Sequence, residues 1–81
     1  MRIRQDNKKY NLGANIRRFR KERHLTQEQT VAKMQLLGVD ISRGTYSQIE
    51  CGIVNIRVED LLALREIFDV EIGRFFDGMS L

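Results

Sequence analysis

Cys51 and His24 are the one cysteine and the one histidine of the chain, and they are the residues that first invite covalent or metal chemistry. A thiol becomes a useful nucleophile when a base and a third orienting group stand beside it. A zinc site needs three or four ligands at characteristic spacings. A lone Cys and a lone His supply neither, and no Gly-rich phosphate-binding run accompanies them. The expectation is therefore a protein that is not an enzyme and carries no metal or cofactor.

A different chemistry is offered by Ser42-Arg43-Gly44-Thr45-Tyr46-Ser47-Gln48-Ile49-Glu50-Cys51-Gly52. Ser42 is a good helix N-cap, and Gly52 supplies the left-handed residue that ends a helix. The helix between them is short and mostly hydrophilic, so its purpose lies in what its polar side touches. Arg donates in pairs to guanine O6 and N7, and Gln both donates to and accepts from adenine N6 and N7. Just upstream, Leu25-Thr26-Gln27-Glu28-Gln29-Thr30-Val31-Ala32-Lys33-Met34 opens with Thr26 and, three residues later, Gln29. That is the form of a capping box.

These two segments need a frame. Leu12, Ile16 and Phe19 share one face of a helix predicted from about Asn11 to Arg23, with His24 ending it. A second helix is predicted from about Gln27 to Leu37, burying Val31 and Met34. Residues 35–41 then connect it to the hydrophilic helix. Val58, Leu61, Leu62, Leu64, Ile67 and Phe68 predict a central packing helix from Val58 to Phe68. A short fifth helix is expected near Glu71–Phe76, contributing Ile72, Phe75 and Phe76. No stretch alternates as a strand does. Residues 1–9, with Arg2, Arg4, Lys8 and Lys9, are expected to form a basic arm, and residues 10–81 a single domain.

Eighty-one residues suffice for one small domain, which buries only about 60% of its unfolded surface. No apolar run approaches the roughly 20 residues of a membrane span, and no secretory leader opens the chain. A cytoplasmic protein without a membrane partner is expected. Residues 1–43 hold 11 Lys and Arg against 4 Asp and Glu, or +7, whereas residues 44–81 hold 3 against 7, or −4. One half is built for an anion. Its basic residues lack interleaved aromatics, which argues against single-stranded nucleic acid or RNA.

Taken together, Leu12-Gly13, Ile16-Arg17, Arg20-Lys21, Leu25-Thr26-Gln27-Glu28, Ile41-Ser42-Arg43, Ser47 and Ile49-Glu50-Cys51-Gly52 resemble the helix-turn-helix of phage repressors and Cro, the XRE family. Leu61-Leu62-Ala63-Leu64, Val70 and Phe75-Phe76 extend the likeness. The resemblance implies an all-α, compact five-helix lambda-repressor-like domain that binds double-stranded operator DNA as a homodimer, with its third helix in the major groove. It implies a prokaryotic or phage transcriptional regulator acting as a repressor. An antitoxin-like protein-interaction module on the same fold is the alternative.

By the same likeness Arg43, Ser47 and Gln48 face base edges, and Gln27 holds a phosphate at a helix N-terminus. Thr45, Gly44, Arg17 and Lys33 complete the expected backbone contacts, and Arg20 with Glu50 forms a structural ion pair. Tyr46 and Ile49 anchor the third helix, with the Tyr46 hydroxyl free to reach a rim partner or phosphate. Three features depart from the family: about five extra residues between Met34 and Ile41, Gly44 at a reading position, and Arg65 at a small buried one. The extra residues are expected either to lengthen the second helix or to bulge with Leu36, Leu37 and Val39 packed inward. Self-association is expected through Phe75, Phe76, Met79 and Leu81.

Overall fold

The computed structural model describes residues 11–79, so the expected basic arm at residues 1–9 lies outside the described residues. Four α-helices, α1 (Leu12–Glu22), α2 (Gln27–Leu36), α3 (Arg43–Glu50) and α4 (Val58–Phe68), precede a single 3-10 turn at Ile72–Phe76. Asn11 caps α1 by accepting from the Ala14 N–H at 2.8 Å. Thr26 and Gln29 close a reciprocal capping box on α2. Ser42 caps α3 through the Thr45 N–H at 3.1 Å.

All four helices end alike. His24, Gly38, Gly52 and Asp69 take positive φ angles of 56°, 88°, 75° and 53°. The next residue in each case, Leu25, Val39, Ile53 or Val70, returns its N–H to the carbonyl five residues back. This arrangement consumes carbonyls that a helix end would leave bare, and it usually tucks the following apolar residue inward. Leu25, Val39 and Val70 do pack on the core, but Ile53 remains 71% exposed.

Leu12, Ile16, Phe19, Met34, Tyr46, Ile49, Leu64, Phe68 and Phe75 form the centre of the core. Phe19 and Phe75 meet edge to face at 5.5 Å, the arrangement their ring quadrupoles favour. The expected fifth helix is only the 3-10 turn. Its Phe75 and Asp77 carbonyls accept from the buried Asn15 amide at 2.8 and 3.0 Å, instead of from a continuing helix. Of the expected self-association cluster, Phe75 is fully buried, Met79 is partly buried and Phe76 is exposed, while Leu81 lies outside the described residues.

Between Met34 and Ile41, α2 stops at Leu36 and the chain turns at Gly38. Val39 and Ile41 are buried, whereas Leu36 and Leu37 are 87% and 44% exposed, contrary to the expected inward bulge. Only the turn's downstream arm faces the core. The Gln35 amide donates to the Ile41 carbonyl at 3.0 Å, and Arg57 donates to that of Asp40 at 3.2 Å. Arg57 also pairs with the buried Asp60 at 3.0 Å, so α4 and the segment leading into α3 are clamped by one side chain. Val58 and Leu62, expected in the core, lie outside at 59% and 52% exposure, and Arg65 points to solvent. A helix that touches neighbours on one side leaves such positions wet.

Candidate nucleic-acid interface

α3 is held by Tyr46 and Ile49, both buried, and presents the opposite side outward. Arg43, Gly44 and Gln48 are exposed and Ser47 is half-buried. Positions separated by four residues stack on one helix face, which brings Arg43 beside Ser47 and Gly44 beside Gln48. Thr45 is also exposed, and its hydroxyl oxygen accepts from Ser42 at 3.1 Å, keeping its own proton available to an anion. At Gly44 an added Cβ would meet nothing nearer than the Ser42 hydroxyl at 3.9 Å.

Arg43 does not hang free. Its Nη1 contacts Glu28 Oε1 of α2 at 2.9 Å. Glu28 is a functional candidate that helical spacing and charge counts do not reveal, because the contact depends on how α2 and α3 cross.

The start of α2 is built differently. Arg20 of α1 donates from Nε and Nη2 to the two Glu50 oxygens, at 2.7 and 3.1 Å, and from Nη1 to the Leu25 carbonyl at 2.8 Å. Gln27 Nε2 donates to Glu50 Oε1 at 3.1 Å. The Arg20 and Glu50 side chains are only 11% and 3% exposed. Burial would raise the Glu50 carboxyl, but hydrogen bonds from Arg20 and Gln27, the nearby Tyr46 hydroxyl and the Arg20 charge outweigh it and hold it below its ordinary value. The hydrogen bond to Glu50, against the cost of burial, raises Arg20 in turn.

The Tyr46 hydroxyl does not reach a rim partner. It is buried, with no hydrogen-bond partner in good geometry among the described residues. It nevertheless lies near enough to Glu50 and Arg20 to feel their charges, and burial above all pushes its ionisation up.

Gln27 thus has its amide oriented from behind, while Thr26 takes the Gln29 N–H of the same helix start at 3.0 Å. An open groove beside it is lined by Arg17, Arg18, Arg20 and Lys21 of α1, with Cys51 at the rim. The structure brings Arg17 and Gln27 together there. Lys33, six residues further along α2, sits about 9 Å up the helix axis and on another side; it is exposed and outside this groove. A concave surface where four cationic side chains outnumber Glu22 and Glu50, next to a helix start, is suited to a phosphate oxygen.

The arrangement of a capped α2, a turn and an outward-facing α3 has a counterpart among known proteins. The sequence model of the helix-turn-helix family HTH_3 matches residues 16–75. No curated protein and no solved structure matches the chain. The match spans α2, α3 and the packing that holds them, and so the chain belongs to the XRE-type helix-turn-helix family of DNA-binding proteins.

Proposed function

We propose that the protein is a cytoplasmic transcriptional repressor that occupies a double-stranded operator, with α3 in the major groove. The observation that carries this reading is the two-sidedness of α3. Tyr46 and Ile49 bind it to the core while Arg43, Gly44, Ser47 and Gln48 face out, beside the cationic groove at the start of α2. Arg43, Ser47 and Gln48 read bases in this scheme. Gln27, Arg17, Thr45 and the Gly44 backbone take phosphates, and Lys33 joins them only if the DNA wraps toward the far end of α2.

The two kinds of contact predict different phenotypes. Arg43→Ala and Gln48→Ala should each cost about 1–3 kcal/mol on the preferred duplex and relax preference at one or two base pairs. Gln27→Ala should weaken all duplexes alike and leave their ranking intact. Binding to a library of duplexes at fixed salt measures both. If all three variants keep wild-type affinity and ranking, α3 is not the reader.

Homodimerisation on a two-fold operator, with half-sites about 34 Å apart or a multiple of it, is part of this proposal. Its support is an exposed apolar strip at the end of α2 remote from Gln27. There Leu37 and Leu62, flanked by Val58, border a shallow groove with Glu59 and Glu66. Leu62→Glu is expected to leave the circular dichroism spectrum unchanged and to abolish cooperative operator binding. Sedimentation showing a dimer as tight as wild type would remove this surface from consideration. The same strip favours a second reading, an antitoxin-like module whose protein partner sits there; such a module would show no preference across the duplex library.

A further inference from the structure

Resting on the reading of α3 as the recognition element, we propose that Glu28 is a specificity-determining residue: it holds Arg43 for a guanine edge and discourages it from settling on a phosphate. The pair spans two helices, with Arg43 Nη1 at 2.9 Å from Glu28 Oε1, and both side chains are largely solvated, at 61% and 71% exposure. Ion pairs so exposed contribute little to folding. Helix stability does not account for Arg43 either. It is the first residue of α3, where the helix dipole disfavours a cation, and the first turn of α3 carries no acid of its own. Glu28, in the first turn of α2, supplies the missing negative charge from outside.

A guanidinium has five N–H donors in a rigid fork. The Glu28 contact engages Nη1 alone, which leaves the Nε and Nη2 donors for the N7 and O6 acceptors of guanine. A guanine edge carries no formal charge, so Glu28 keeps its partner while Arg43 reads. A phosphate is different. Arg43 could reach it only by abandoning Glu28 or by drawing a carboxylate toward an anion, and both are unfavourable. Glu28 therefore lowers the affinity of Arg43 for sequence-independent contacts more than for its base, and discrimination is the difference.

A double-mutant cycle tests this. The probes are the preferred duplex from the library and its variants with each base pair changed in turn. Glu28→Gln in the wild-type background is expected to strengthen binding to the changed duplexes more than to the preferred one. Discrimination at the Arg43-dependent base pair should fall by about tenfold, within what one bidentate Arg–guanine contact supplies. The salt dependence should steepen by about one released counterion as Arg43 moves to the backbone.

In the Arg43→Ala background the same change should shift all duplexes equally and leave every ratio unchanged. If Glu28→Gln strengthens all duplexes alike in the wild-type background, Glu28 is only a nearby repulsive charge and the proposal is overturned. If Arg43→Ala alone leaves every ratio unchanged, the reading of Arg43 fails first, and the role given to Glu28 falls with it.

Discussion

Gly13→Ala is expected to destabilise the protein by about 3 kcal/mol or more, because the new methyl group collides with main chain that has nowhere to go. A Cβ at Gly13 would stand 2.4 Å from the Ile49 carbonyl oxygen and 2.6 Å from that of Glu50. Both oxygens belong to the last turn of α3, so relief requires α1 and α3 to separate. That separation would loosen Leu12, Ile16 and Ile49, all buried. The gain in helix propensity from Gly to Ala, about 1 kcal/mol, is too small to compensate.

Gly44→Ala is the matched control, since the same methyl group enters open space there. It should stabilise α3 by up to about 1 kcal/mol. Urea unfolding of the two variants should therefore move in opposite directions. Equal stabilities would show that the α1–α3 approach at Gly13 is looser than described. The Gly44 variant also reports on binding: a more stable protein with weaker operator affinity is expected if DNA approaches the α3 backbone at that point.

Glu50→Ala carries the other large effect. It leaves Arg20, whose side chain is 11% exposed, without the carboxylate that takes two of its donors, and it strips Gln27 of its acceptor. Removing one partner of a buried pair costs about 3–5 kcal/mol. In a domain of this size that corresponds to a fall in Tm of roughly 12–40 °C. The pair also has a pH signature. The Glu50 carboxyl titrates below its ordinary value of 4.5. Its contribution is therefore complete above about pH 4.5 and is lost as pH falls through the lower value of the folded state. Glu50→Gln should be less stable than wild type near neutrality, and the difference should narrow in acid. A stability difference that stays constant from pH 7 to pH 3 would mean that the carboxylate's charge contributes nothing.

The elements set by local rules are legible from the residues alone. Val58 to Phe68 follows from the spacing of its apolar side chains, and the capping box on α2 from Thr26 and Gln29. The left-handed ends at His24 and Gly52 are local in the same sense. Contacts between distant segments are not. Asn15 looks like an ordinary polar residue of α1, yet it is fully buried because two carbonyls some 60 residues away converge on its amide. Leu62 and Leu64 have the same hydrophobicity, and which sides of α4 are covered by α1, α2 and the last turn decides that one is wet and the other dry. For the candidate site, helix spacing explains why Arg43 and Ser47 share a side. It says nothing of Glu28, whose reach to Arg43 crosses from one helix to another.

The bond from Asn15 to the last turn has a consequence for how the protein is made. α1 leaves the ribosome before α2, α3 and α4, but its buried face is closed partly by Phe75, and the Asn15 amide nitrogen donates to the Phe75 and Asp77 carbonyls. Domains acquire their cores as units, and contacts between distant residues wait for the intervening chain. α2, α3 and α4 can begin to assemble while still tethered, but the flank of Phe19 that meets Phe75 cannot be covered until Phe75 has cleared the exit tunnel. The first helix therefore finds its last neighbour only after residues 75–77 have been made and have emerged, and a nascent chain stalled upstream of Phe75 would display an unfinished apolar face to the cell's chaperones.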